Sequence, residues 1–235
     1  MSFEVRPLAP EHAVAAAAIH AEGQEHTFLT SLGQAFLRAL YAGMASSAHC
    51  FGYVALDMGS HVGLPQHVGQ PQGGQQVIGV VTGTVDSGAV FKDLILRRGL
   101  RLILPVAGAM LRHPSLVPKV FKTALYPAQT KGSAGEAELL FIGTRADRRG
   151  EGVGRALFHA LAEEMRRRGM RVMGLTVDDD NESAKRFYLH NGMRPARAGA
   201  VTRGGPYFTL YGRRMQWFVL PLRDEGGIDD GRSVG

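Results

Sequence analysis

Glu138-Leu139-Leu140-Phe141-Ile142-Gly143-Thr144 and, five residues on, Arg149-Gly150-Glu151-Gly152-Val153-Gly154 decide how this chain is read. The first run is short, nearly all apolar and bounded by polar residues, the pattern of a buried strand. The second spaces glycines so that backbone N–H groups converge at the start of a helix, where the helix dipole favours an anion. Arg145, Arg148, Arg149 and Arg155 crowd this loop against Asp147 and Glu151, so a pyrophosphate is the expected ligand. Beyond it Val153, Leu157, Leu161 and Met165 recur every four residues, one apolar helical face that stops near Gly169. From Arg171 to Val177, alternating Met173, Leu175 and Val177 predict a second strand. Strand, loop, helix and strand make a βαβ unit with parallel strands.

Three glycine-loop classes compete. A dinucleotide fingerprint needs a third glycine where Leu157 stands, and a Walker loop needs a Gly-Lys-Ser/Thr tripeptide that the chain lacks. The segment resembles the acetyl-CoA site of the GNAT N-acetyltransferase superfamily, whose loop reads Arg/Gln-x-x-Gly-x-Gly/Ala. Arg149, Gly152 and Gly154 match that loop. Asn181, Ala184, Tyr188 and Gly192 follow in the family's order, with Met193 where the family has phenylalanine.

The resemblance implies an α/β fold with a mixed sheet, a GNAT-like acyl-CoA N-acyltransferase fold with a helical insert before the central strand. It implies acetyl-CoA as co-substrate, held by Ile142, Gly143 and Thr144 along the pantetheine arm and by Arg149, Gly150, Glu151, Gly152, Val153, Gly154 and Arg155 at the pyrophosphate. Asn181, Ala184 and Tyr188 complete that set, Asn181 serving the pantetheine arm, a helix N-cap, or both. Tyr188 is the implied acid for the departing thiolate, and Glu138 the implied base that takes the amine's proton, directly or through water. Glu25 and His26, in the joint between the first helices, are the alternative base or substrate contacts, with Phe28 a further candidate substrate contact.

Composition bounds the rest. A chain of 235 residues with 45% apolar and 20% charged content reads as one globular domain. We expect that domain over 1–222, with the insert at 91–131 and a disordered Gly/Asp-rich tail over 223–235. The single cysteine, Cys50, excludes an internal disulfide and suits the cytoplasm. No signal peptide or stretch long enough to span a bilayer is visible. His61 and His67 have no partners at ligand spacing, so no metal site is expected. The net charge is +6, and Lys92 to Lys122 alone holds seven Lys or Arg against Asp93. That balance favours anionic partners, and the segment could form a substrate lid. Regular aromatics are missing from it, so nucleic acid is not the expected partner.

The function expected is acetyl transfer to a primary amine, a small-molecule acceptor first. A protein N-terminus or lysine, or a non-catalytic CoA-binding regulatory module, is the alternative. A homodimer is left open.

Overall fold

The computed structural model describes residues 2–25, 27–59, 75–118, 135–196, 207–210 and 212–223. The chain opens with strand β1 (Phe3–Pro7), helix α1 (Ala13–Gly23), a single turn α2 (Phe28–Ser31) and helix α3 (Gln34–Met44). Strands β2 (Cys50–Asp57) and β3 (Val77–Thr84) follow, then the long helix α4 (Ser87–Arg112) and strand β4 (Glu136–Thr144). Helix α5 (Val153–Arg167), strand β5 (Val172–Asp178) and helix α6 (Glu182–His190) lead to β6 (Arg194–Pro195), β7 (Tyr207–Leu210) and β8 (Arg213–Pro221).

The eight strands form one mixed sheet in the order β1-β2-β3-β4-β5-β8-β6, with β7 also on β8. Neighbours run antiparallel except β4 and β5, which are parallel. Every residue of β3 is buried, because helices cover both faces at the centre of the sheet. One face packs against α1, α3 and α4 through Ile19, Leu37, Tyr41, Leu94 and Phe141. The other packs against α5 and α6 through Leu157, Leu161, Met165, Met173 and Phe218.

Helix α5 follows its sequence pattern: Val153, Leu157, Leu161 and Met165 are all buried. Helix α3 turns Phe36, Leu37, Tyr41 and Met44 inward and leaves Ala35 exposed. A proline inside a helical pattern reads as a stop, yet α4 runs unbroken through Pro105, 26 residues in all. Asp86 caps its start, accepting the Ala89 N–H at 2.9 Å. Val90, Leu94, Leu102 and Ala109 seat it in the core, so α4 is part of the domain and not a lid lying over it.

Candidate acyl-CoA site

Strands β4 and β5 pair only at Glu136–Val172, Ala137–Met173 and Glu138–Gly174. From Leu139 onward the edge of β4 that faces β5 has no ladder partner among the described residues, while its other edge pairs with β3 as far as Thr144. A bulge contributes to the divergence. Phe141 lies opposite Thr82 and Leu139 opposite Gly83, which leaves Leu140 as an extra residue on β4. The Arg145 N–H donates to Ile78 O at 3.0 Å on the β3 side. Strand alternation therefore turns the N–H groups of Ile142 and Thr144 toward the gap. The sheet presents a ready edge for an extended amide chain.

The gap leads to the glycine loop. Gly150 and Gly152 have φ of +84° and +82°, a conformation side chains resist, and a Cβ built on either meets nothing within 4 Å. Gly152 forms the N-cap of α5 with no side chain capping it, so first-turn N–H groups stay available to an anion. Surrounding residues brace this shape. Arg148 ion-pairs with buried Asp57 at the end of β2 and with Glu151 at 2.9 Å. The Ala146 N–H donates to the Glu22 carboxylate at 2.9 Å, tying the loop to α1. Arg145 pairs with Asp147 at 2.7 Å. Arg149 and Arg155 are exposed and carry no ion pair among the described residues. Four arginines thus divide into two that hold the loop and two that face solvent.

Glu138 sits at the vertex where the strands part. Burial raises its pKa above 4.5, opposed by a short hydrogen bond from the Ser87 hydroxyl in the first turn of α4. Tyr188 belongs to the cluster on the opposite face, beside the Phe187 and Phe218 rings. Burial pushes its phenol up to about 12, so it stays protonated through the physiological range. Asn181 accepts the Ala184 N–H at 3.0 Å and so caps α6, with Ala184 partly buried behind it. Glu25 is exposed past the end of α1, and Phe28 opens α2, partly buried against the α1/α3/α4 face. His26 lies outside the described residues.

Two side-chain contacts to β4 gave no sequence signal. Ser87 is 51 residues from Glu138, and only the sheet order brings them together. His20 hydrogen-bonds the Tyr41 hydroxyl at 2.9 Å and stacks on Phe141 with centroids 4.4 Å apart. Cys50 is buried, its thiol pushed up to about 12 by burial, which disqualifies it as a nucleophile. Among the described residues no group of His, Cys, Asp and Glu could hold a metal.

Comparison with known proteins agrees in kind. Residues 114–193 match the acetyltransferase (GNAT) family model. A Desulfovibrio desulfuricans protein of the GNAT family superposes with a TM-score of 0.56 at 13% identity, over 94% of this chain and 100% of that one. The ribosomal-protein-S18-alanine N-acetyltransferase of Escherichia coli gives 0.51 at 15% identity, over 100% and 99%. The yncA protein of Salmonella typhimurium, solved with acetyl-CoA, gives 0.53 at 13% identity, over 98% and 99%. No curated protein matches the chain significantly in sequence.

Proposed function

Residues 114–193 match the GNAT acetyltransferase family model, and from that premise we propose that the chain is a GNAT acetyltransferase that moves an acetyl group from acetyl-CoA to a primary amine by direct transfer. The observation that carries this reading is the unpaired edge of β4 running into an uncapped glycine loop. The amides of Ile142 and Thr144 would receive the pantetheine arm as an added strand, with Gly143 between them. The loop from Arg149 to Gly154, with Arg155, would take the pyrophosphate at the head of α5. The Salmonella neighbour's bound acetyl-CoA supports that co-substrate.

The residues then divide the proton work. Glu138, with its raised pKa, takes the proton of the attacking amine, directly or through one water. Tyr188, fully protonated, supplies a proton to the departing thiolate from the other face of the sheet. An inert Cys50 supports transfer without a covalent enzyme intermediate. Glu138 is recessed between the sheet and the start of α4, which favours a small amine as acceptor. A protein acceptor is the second reading, since the E. coli neighbour is named for acetylating an alanine of ribosomal protein S18.

Calorimetric titration with acetyl-CoA, followed by free-CoA release across small amines, amino sugars and short peptides, tests both. Binding with release for a small amine is expected. Release with peptides alone would transfer the chain to the second reading, and absence of acetyl-CoA binding would overturn the proposal.

A further inference from the structure

Helix α4 has one face in the core and a second that no described residue covers. Of nine large hydrophobic side chains exposed among the described residues, six lie on α4. Leu96, Leu100, Ile103, Leu104 and Leu111 are spaced so that all five fall on one face of the helix: four residues, then three or four, then two further turns to Leu111. Leu96, Leu100 and Leu111 are 84%, 76% and 85% exposed. The stripe opens into a groove of about 910 Å³ against Gly43 and Ser46 at the end of α3. Scattered surface leucines are ordinary, but a stripe of this length on one helix marks an interaction surface.

Charge selects the occupant. The residues of α4 include five Lys or Arg and one acid, a net of +4 within a chain of +6. Lys92, Arg101 and Arg112 are exposed on the same helix as the stripe. A second copy of the chain would set two such segments against each other, inside a Debye length of about 8 Å, where like charges repel. Nucleic acid would use the charge and leave the leucines in water. A surface that is apolar below and anionic above satisfies both: leucines enter the acyl boundary while Lys and Arg reach up to phosphates. Among the described residues no helix is long and apolar enough to cross a membrane, so the helix would lie in the interface plane.

We infer that α4 docks this protein onto anionic phospholipid bilayers through Leu96, Leu100, Ile103, Leu104 and Leu111, with Lys92, Arg101 and Arg112 on the headgroups. The inference does not rest on the acetyl-transfer reading, and vesicle binding is measured without any substrate.

The experiment is cosedimentation of the full chain with vesicles of phosphatidylcholine alone and of phosphatidylcholine mixed with phosphatidylglycerol. Binding to the mixed vesicles is expected, with at least about tenfold less to the neutral ones. Replacing both leucines, Leu96→Glu and Leu100→Glu, should abolish it without changing the melting temperature, because both side chains are exposed. Arg101→Glu, which leaves the apolar face intact, should weaken binding several-fold and make it less sensitive to salt. Three results would each overturn the inference: no binding to either vesicle, equal binding to both, or unchanged binding in the leucine double variant. A dimer in sedimentation equilibrium that the double variant dissociates, without vesicle binding, would give the face to a second copy and overturn it too.

Discussion

Two opposing influences act on Glu138: burial favours its neutral form and the Ser87 hydroxyl favours the carboxylate, with burial the larger. A folded pKa above the unfolded value adds stability at low pH, and that addition is lost as pH rises through the folded value. At neutral pH the ionised side chain therefore costs stability, which is the pattern of a group kept for chemistry. Glu138→Gln should hold or raise the melting temperature at neutral pH, with the advantage shrinking in acid. The wild-type rate should fall in acid at a pH above 4.5, and the variant should be slow with that limb missing. Ser87→Ala should move the limb to still higher pH; a limb that neither substitution alters would mean that some other group is the base. His20 works with the opposite sign. Burial lowers its pKa from 6.5 to about 4, so its contribution is present above 6.5 and lost as pH falls toward 4. Up to about 3 kcal/mol rides on that interval. Urea unfolding across it should show a steep acid loss that flattens in His20→Gln.

The glycine loop and α5 were legible because each residue there answers a local demand: left-handed backbone at Gly150 and Gly152, an apolar face every four residues after them. A side chain at Gly152 meets no protein atom, but it projects into the space above the helix terminus and adopts an unfavourable φ. Gly152→Glu should thus cost about 1–2 kcal/mol of stability yet remove measurable acetyl-CoA binding in calorimetry, through blockage and repulsion of the pyrophosphate. Near-normal affinity would reject the loop as the anion site. Helix α4 was less legible. A proline inside a helical pattern reads as a stop, but Leu102 and Ala109 on either side of Pro105 are buried in the core and Val106 packs against it, which holds the helix through the proline. Tertiary burial outweighed the local penalty. The Ser87–Glu138 contact was invisible for a different reason: it depends on β3 and β4 being neighbours, and nothing local to either residue announces that.

Sheet order also explains why the site lies where it does. A mixed sheet with one parallel pair needs a crossover helix between β4 and β5, and α5 supplies it with the glycine loop at its head. The strands beyond β5 turn antiparallel again: β5 pairs with β8 on one edge along Val172 to Asp178, and on the other edge with β4 only as far as Glu138. The unpaired stretch of β4 leaves backbone groups inside the molecule that call for a partner. Hydrogen exchange can read that partner directly. Addition of acetyl-CoA should slow exchange at the amides of Ile142 and Thr144 and at the first turn of α5, while Gly143 and Arg145, turned toward β3, change little. Alternation along β4 is the signature of an added strand; uniform protection across the whole sheet would indicate general stabilisation, and protection confined to the loop would mean that the pantetheine arm does not lie along β4.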